Sequence, residues 1–184
     1  MTVTDSLSPQ TTMADVLAAF PGARRALFRK YHLGGCASCG FQPTETLGQL
    51  CERNGGLNVA EVSAHIQASH EQDRQLEITP REVADRRARG EPVRLFDIRT
   101  REEWDAVRLD GAEFVNQELV QTLMGTAARD ALLVFYDHSG TASLDAAAYF
   151  AGHGFTRAKF LRGGIAAWAQ EVDAKMPRYK LEQS

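Results

Sequence analysis

The segment 132–143 places the carboxylate of Asp137 at the end of a predicted strand, in a position where a nucleophile could act. Residues 132–136 are uniformly apolar, as in a strand buried on both faces of a parallel sheet. The polar residues that follow lead into a helix-like pattern, and such strand–loop–helix units bind anions through their N–H groups. The loop begins with Asp137, where a nucleophile would normally stand. The candidate site is the whole loop: Asp137, His138, Ser139, Gly140, Thr141, Ala142 and Ser143.

Two roles are open for this carboxylate. Asp137 can accept hydrogen bonds from the loop amides and cap the following helix. The N–H groups that could bind an anion, which we call the anion cradle, would then be occupied by the protein's own carboxylate. Alternatively, Asp137 and His138 could act as an acid–base couple or contribute to a metal site. The first role is favoured, because adjacent loop side chains usually point apart.

The segments around this loop resemble, in their order, the rhodanese family of sulfurtransferase-like domains. The resemblance covers about residues 77–180, and its most specific part is the block Leu-Arg-Gly-Gly-Ile-Ala-Ala-Trp that ends at Trp168. It also includes Asp97 and Arg99, which match an Asp-x-Arg pair expected to hold loops through a charge-assisted hydrogen bond. The other segments are Leu95-Phe-Asp-Ile-Arg99, Glu102-Glu-Trp104, Leu109-Asp-Gly-Ala112 and Ala158-Lys-Phe-Leu161.

The resemblance implies a loop of the form Cys-x-x-Gly-x-Arg-Ser in active members. Here the template falls on Asp137, Gly140, Ala142 and Ser143, so the cysteine is replaced by Asp137 and the arginine by Ala142. Arg108 stands where the family usually has a histidine. A carboxylate cannot form the persulfide that carries sulfur, so we expect a degenerate sulfurtransferase site.

A second chemical feature is the pair Cys36 and Cys39. A spacer of two residues lets both sulfur atoms meet on one side of a turn, which suits a reversible disulfide or two ligands of one metal ion. With His32 and Cys51 the pair forms a possible four-ligand set, so zinc or an iron–sulfur cluster remains open, although the sequence predicts no particular cofactor. On its helix, Cys51 is expected to be a small buried hydrophobe.

The surroundings of the cysteine pair resemble the small redox-disulfide domain family associated with hybrid-cluster proteins. The resemblance covers about residues 10–69 and implies redox chemistry at Cys36 and Cys39. It is carried by Thr12-Met-Ala-Asp-Val-Leu17, Phe20-Pro21, Cys36-Ala-Ser-Cys39, Glu45-Thr-Leu47 and Cys51.

The periodicity of the sequence changes after its first third. Residues 1–69 predict a small all-helical domain with helices over 13–20, 23–31 and 45–53 and a fourth that begins behind Asn58. The polar residues 70–76 predict a linker. Residues 77–184 alternate strands and helices, which predicts an α/β rhodanese-like three-layer sandwich with a parallel sheet. Trp104 and Trp168 are expected to be core anchors.

Composition limits the partners. A formal net charge of -3, spread nearly evenly along 184 residues, leaves no basic stripe for nucleic acid. No apolar stretch approaches the ~20 residues that span a bilayer, and the first residues do not form a secretory signal, so a cytoplasmic protein is expected.

These features lead to one preferred hypothesis and two alternatives. The preferred hypothesis is that the protein lacks sulfurtransferase activity and is a binding or redox-accessory module. Its partner would be an unknown protein in sulfur or redox metabolism, and Cys36 and Cys39 would form a reversible dithiol. The alternatives are a sulfurtransferase or persulfide carrier that uses Cys36 or Cys39, and a metal-binding protein.

Overall fold

The computed structural model describes residues 7–34 and 40–177 of the chain. These residues form two compact units, which divide between Gln75 and Leu76. Each unit has hydrophobic clusters of its own.

The first unit is helical in its described residues. Side chains cap three of the helices. Thr12 accepts from the amide of Asp15, and Asn58 accepts from Ala60 and Glu61, where the sequence predicts helix starts. Thr46 forms a capping box with Gln49, so that the third helix begins two residues later than predicted. These caps leave the apolar faces free to pack into one cluster. The helices are α1 (Met13–Ala19), α2 (Ala23–Tyr31), α3 (Leu47–Arg53) and α4 (Val59–Arg74).

One expectation for this unit needs correction. Residues 70–74, expected in a linker, are the last turns of α4, because the polar sequence continues the helix that Asn58 starts. Phe28, which follows the buried Leu27 on α2, is 48% exposed. Consecutive helical residues are about 100° apart around the axis, so Leu27 faces the core and Phe28 does not.

The second unit is a parallel five-stranded sheet, in the order β1-β5-β4-β2-β3, with helices on both faces. It confirms the predicted rhodanese-like three-layer α/β sandwich. The elements are β1 (Glu77–Ile78), α5 (Pro80–Ala88), β2 (Val93–Asp97), α6 (Arg101–Ala106), β3 (Ala112–Phe114), α7 (Gln117–Thr126), β4 (Leu132–Tyr136), α8 (Ala142–Gly152), β5 (Ala158–Leu161) and α9 (Gly164–Glu171).

The central strand β4 serves both layers of the core. Leu132, Val134 and Tyr136 pack into the cluster that includes α5 and α9, and Leu133 and Phe135 pack into the cluster with α7 and α8. All five side chains are buried, which accounts for the unbroken apolar run. The strand therefore ends in the middle of the sheet, between β5 and β2.

The two tryptophans behave differently. Trp168 is buried against the sheet, as expected, whereas Trp104 lies on the short helix α6, which has no buried residue. The Trp104 indole is only partly buried, 5.6 Å from the Phe114 ring and 5.0 Å from the Arg108 guanidinium. Its expected role as a core anchor is wrong, because a helix of six residues lies at the surface here.

None of the helices in the described ranges combines the length and the apolar composition needed to cross a lipid bilayer.

Candidate functional site

The candidate loop connects β4 to α8 at the carboxyl edge of the parallel sheet. In such sheets ligands usually bind beyond the carboxyl ends of the strands. The loop turns at Gly140, whose φ of +89° is a conformation that L side chains rarely adopt. Asp137 and Ser143 are buried, whereas Ser139 and Thr141 are exposed and their hydroxyl oxygens lie 3.3 Å apart.

The Asp137 carboxylate is held by three donors from its own loop. Its Oδ1 accepts from the Gly140 amide at 2.6 Å and from the Ser143 hydroxyl at 2.7 Å, and its Oδ2 accepts from the Ala142 amide at 3.1 Å. Ala142 is the first residue of α8, and the residue before it, Thr141, makes no side-chain capping bond. Asp137 therefore caps α8 from five residues upstream, in agreement with the sequence.

The opposite side of the loop rests on the start of α9. The carbonyl oxygen of Asp137 accepts from the Ile165 amide at 2.9 Å, and that of His138 accepts from the Ala166 amide at 3.2 Å. A Cβ atom on Gly164 would lie 2.6 Å from the carbonyl carbon and oxygen of His138. The contact therefore requires glycine, and it engages the N-terminal amides of α9.

Sequence reasoning missed this role of the glycine pair. The block that ends at Trp168 is the most specific part of the family resemblance, but the sequence did not indicate what its glycines touch. A Cβ on Gly140 would in turn lie 2.8 Å from the amide nitrogen of Gly163. Two adjacent glycines before an amphipathic helix were the available signal for a close approach of two backbones.

His138 is half-buried beside this carboxylate. The three bonds to the Asp137 carboxylate come from the loop backbone and from Ser143 rather than from an imidazole. The described geometry thus favours the capping role of Asp137 over an acid–base couple with His138.

A buried ion pair supports the same edge of the sheet. Asp97, at the end of β2, accepts from the Arg99 backbone amide at 3.0 Å and from its Nε at 2.9 Å, and Arg99 Nη2 donates to the Val107 carbonyl at 2.6 Å. The Tyr136 hydroxyl accepts from the Leu109 amide at 3.3 Å. Burial, reinforced by the negative charge of Asp97, raises the pKa of Tyr136 far above its usual value. The expected charge-assisted bond between Asp97 and Arg99 is confirmed.

Arg108 lies in the segment between the residues that Arg99 and Tyr136 hold. It is exposed, and it donates to the Trp104 carbonyl at 3.3 Å besides stacking on the indole. The backbone hydrogen bonds from Arg99 and to Tyr136 hold this segment in place. The Arg108 side chain is not part of that buried hydrogen-bond network.

The four candidate metal ligands are only partly within the described structure. Cys36 and Cys39 lie outside the described residues, and His32 is exposed at the end of α2. Cys51 is a free cysteine, fully buried in the helical cluster as expected, and burial raises the pKa of its thiol. Within ranges 7–34 and 40–177, no three His, Cys, Asp or Glu side chains are arranged to hold a metal ion.

Comparison with known proteins bears on the second unit. A family profile described as rhodanese-like domain matches residues 79–171. The chain belongs to the rhodanese-like family. Its strand β4, the loop 137–141 and the α9 block all fall within the matched range.

Curated relatives agree with this assignment. The chain is 38% identical over 104 residues to a protein of Mycobacterium tuberculosis named probable adenylyltransferase/sulfurtransferase MoeZ, a match of 55% of this chain and 26% of that protein. It is 36% identical over 94 residues to a sulfurtransferase of Allochromatium vinosum, covering 51% of this chain and 88% of that one. The chain thus spans about a quarter of the length of MoeZ but most of the Allochromatium protein.

Similar solved structures include a rhodanese-like domain and a single-domain sulfurtransferase. The rhodanese-like domain of an Anabaena protein has a TM-score of 0.47 and 18% identity over 59% of this chain and 89% of that domain. The human single-domain sulfurtransferase TSTD1 has a TM-score of 0.45 and 24% identity over 52% of this chain and 96% of that protein.

Proposed function

We propose that the rhodanese-like unit does not transfer sulfur, because Asp137 stands at the position of the family's nucleophilic cysteine. The unit then serves as a binding or redox-accessory module for a protein partner in sulfur or redox metabolism. A reversible dithiol at Cys36 and Cys39 supplies the chemistry of the first unit.

The observation that carries this proposal is the set of three donors on the Asp137 carboxylate. In a sulfurtransferase, a thiolate attacks the sulfane sulfur of thiosulfate, the sulfur–sulfur bond of the donor breaks and sulfite leaves, and the sulfur stays on the protein as a persulfide, while loop amides hold the negative charge. A carboxylate oxygen cannot hold sulfane sulfur in this way. It also brings its own negative charge to the N–H groups that would otherwise attract thiosulfate.

The metabolic setting is proposed from the relatives. MoeZ, the Allochromatium protein and the GlpE proteins of Shewanella oneidensis and Pseudomonas aeruginosa are all named as sulfurtransferases. A family domain without the nucleophile keeps the architecture that receives sulfur-bearing anions or proteins, and it can still bind a partner from the same metabolism.

Turnover of thiosulfate and cyanide to sulfite and thiocyanate tests the proposal. The full chain, an Asp137→Asn variant and a Cys36→Ser/Cys39→Ser variant are compared. We expect no turnover above the uncatalysed rate in any of them. Turnover by the full chain that is lost in Asp137→Asn would contradict the proposal, because it would make Asp137 part of an active site.

The same experiment separates the alternatives for the first unit. Turnover that survives Asp137→Asn and is lost in Cys36→Ser/Cys39→Ser would assign persulfide transfer to the cysteine pair. Elemental analysis of protein purified without chelator tests the metal-binding alternative, since a structural site would retain zinc or iron.

A further inference from the structure

Strand β3 at the edge of the sheet has backbone groups that its neighbour β2 does not use. Within the described residues, β3 pairs with β2 alone. The Val115 amide donates to the Asp97 carbonyl at 2.9 Å, and the Ile98 amide donates to the Tyr136 carbonyl at 3.0 Å. Because Phe114 is the registered partner of Asp97, these bonds leave the N–H and C=O of Phe114 directed away from β2. An edge of this kind can accept a further strand.

A groove, which we call the β3 groove, lies between this edge and the first turns of α7. Its volume is about 290 Å³. Val115 packs into the cluster that includes α7 and α8, so the side chain of Glu113, two residues earlier in the chain, lies on the same face of the sheet. The groove has an apolar part at Leu119, which is half-buried. The lining residues are Glu113, Phe114, Asn116, Glu118, Leu119 and Thr122.

Side chains on the opposite face of β3 hold the strand in place. Ala112 packs against the cluster that includes α5 and α9. The Phe114 ring lies 5.6 Å from the Trp104 ring and 5.5 Å from the guanidinium carbon of Arg101, which pairs with Asp105. These contacts engage the Phe114 side chain, so a partner at this edge would meet the Phe114 backbone and the β3 groove.

The charge of the β3 groove is negative. Its lining residues include two carboxylates and no basic side chain. Glu113 is held by Arg94, whose Nη2 donates to Oε1 at 2.7 Å and to Oε2 at 3.0 Å. Glu118 is exposed and forms no ion pair within the described residues. It lies in the first turn of α7, where a negative charge stabilises the helix through its dipole, and its carboxylate oxygens stay open to a cation from outside.

We propose that the β3 groove binds an extended basic segment of a partner protein as an added strand. The N–H and C=O of Phe114 pair with the backbone of that segment. In this mode of recognition, main-chain hydrogen bonds give affinity and pockets for alternate side chains give specificity. One apolar side chain of the segment packs on Leu119, and a lysine or arginine of the segment approaches Glu118.

The charge of the β3 groove argues against a second copy of the chain as the occupant. Two copies that paired through β3 would bring two acidic grooves together, and like charges that face one another destabilise a strand pair. A basic segment has the complementary charge. The inference goes beyond the proposed function, because β2 separates the β3 groove from β4 and from the loop at Asp137. It does not depend on whether that loop transfers sulfur.

The test is a titration of the isotope-labelled full chain with peptides, followed by NMR through the backbone amide resonances. The probe is a heptapeptide with blocked ends and the sequence Thr-Val-Thr-Lys-Thr-Val-Thr, in which the lysine and both valines lie on one side of an extended strand. The comparison peptide has glutamate in place of lysine. We expect the lysine peptide to shift the Phe114 and Leu119 amides in a saturable manner. The glutamate peptide should bind more weakly by about threefold or more, because it brings a like charge to Glu118.

Two variants with the same change of charge locate the effect. Glu118→Gln should weaken binding of the lysine peptide by about two- to fivefold, the range of an exposed ion pair. Asp130→Asn removes an exposed carboxylate that precedes β4, at the opposite end of the sheet, and should leave the affinity unchanged. Urea unfolding checks that both variants remain folded, since Glu118→Gln also loses an interaction with the helix dipole.

Hydrogen exchange tests the added strand directly. In the free protein the Phe114 amide should exchange faster than the Val115 amide, which already donates to Asp97. At a lysine-peptide concentration of about ten times Kd, exchange of the Phe114 amide should slow by about tenfold, and that of the Val115 amide should change much less.

Four results would overturn the proposal. They are the absence of saturable shifts with the lysine peptide, equal affinity for the two peptides, equal affinity of the Glu118→Gln variant and the parent, and shifts without slower exchange at Phe114. A concentration-dependent dimer with a protected Phe114 amide in the absence of peptide would also overturn it, because a second copy of the chain would then occupy the edge.

Discussion

At the scale of single residues, the Asp137 side chain places a negative charge where its loop supplies two amides and one hydroxyl. Hydrogen bonds to a charged acceptor contribute about 1.5–3 kcal/mol each, so the three together make the carboxylate part of the loop structure. A competing anion would have to displace a group that is tethered to the same loop. The charge of Asp137 thus stabilises the fold and opposes anion binding at once.

Asp137→Ala should convert the loop into an anion site. The variant leaves the Gly140 and Ala142 amides and the Ser143 hydroxyl without their acceptor, so we expect the free energy of unfolding to fall by roughly 3–6 kcal/mol. Sulfate or thiosulfate should then raise the melting temperature of the variant more than that of the parent, because a ligand that binds only the folded state stabilises it.

The control for this experiment is Asp130→Ala, which removes an exposed carboxylate from the same unit, measured at matched ionic strength in chloride. If sulfate stabilised the parent and Asp137→Ala to the same extent, the carboxylate would not be what occupies the anion cradle.

The sequence determined much of this site and missed the rest for a physical reason. The capping role of Asp137 follows from local chemistry, and the loop spacing and the Asp97–Arg99 bond follow from the family resemblance. The partners in each of these bonds lie within six residues of one another. The support from Ile165 and Ala166 joins positions that are far apart in sequence. Only the folded chain shows which backbone the glycines approach.

At the scale of elements, the N-terminus of α9 holds the loop between β4 and α8 in place. Gly164 has a φ of +57°, and a side chain there would collide with the backbone of Asp137 and His138. The amides of the next two residues hold the carbonyl groups of the loop. The loop geometry thus depends on a helix more than twenty residues later in the sequence.

Gly164→Ala should therefore destabilise the unit and displace the loop. We expect a loss of about 3 kcal/mol or more in urea unfolding, since left-handed backbone strain adds to a backbone collision. Gly152→Ala at the end of α8 is the matched control, because a Cβ there has no atom within 4 Å. Its free energy of unfolding should change by at most about 1 kcal/mol. Equal effects of the two substitutions would disprove the close contact.

The capping box of α5 predicts a dependence on pH. Hydrogen bonds from the Thr79 hydroxyl and amide lower the pKa of Glu82. A lowered folded-state pKa means that Glu82 stabilises the fold above its unfolded pKa of about 4.3 and that this contribution is lost as the pH falls through the folded value. Glu82→Gln keeps the box geometry without a titrating group.

Chemical denaturation between neutral pH and pH 3 measures this effect. The parent should lose more stability than Glu82→Gln over that interval. A parent and variant with parallel pH profiles would show that the Glu82 carboxylate does not contribute.

Trp104 and Phe28 show where element-scale prediction from sequence ends. Trp104 was expected in the core but lies on a helix without buried residues, and the apolar Phe28, next to the buried Leu27, is turned toward solvent. Apolar periodicity indicates which side of a helix is apolar. It does not indicate how deeply a short helix sits.

At the scale of the whole molecule, the chain contains two separate cores. The buried cluster of the first unit is drawn from residues 7–66, and the two clusters of the second unit are drawn from residues 78–168. The alternation of strands and helices was enough to predict the α/β architecture of the second unit, because the uniformly apolar sequence of β4 is typical of a buried parallel strand. The exact end of α4 was not predictable, since its last turns are polar.

The second unit should fold by itself when the chain begins at Leu76. The Leu76 carbonyl accepts from Phe160, the Ile78 carbonyl accepts from Arg162, and Ile78 is buried in the core. We expect a fragment that starts at Leu76 to unfold cooperatively, and one that starts at Pro80 to be less stable by about 2–4 kcal/mol, because it loses β1 and a buried isoleucine. Circular dichroism during urea titration checks this, and equal stability of the fragments would contradict the role of β1.

The central claim is that the loop at Asp137 does not take up sulfur. The most direct test is to incubate the protein with thiosulfate and to measure by intact mass whether a sulfur atom has been added. The Cys36→Ser/Cys39→Ser protein is the background, in which Cys51 is fully buried. Asp137→Cys places a thiol in the cradle, and Ser139→Cys places one on the exposed part of the same loop as a control. We predict that the background gains no sulfur, and that Asp137→Cys gains one sulfur atom more readily than Ser139→Cys. Sulfur retained by the background, or equal loading of the two cysteine variants, would contradict the account.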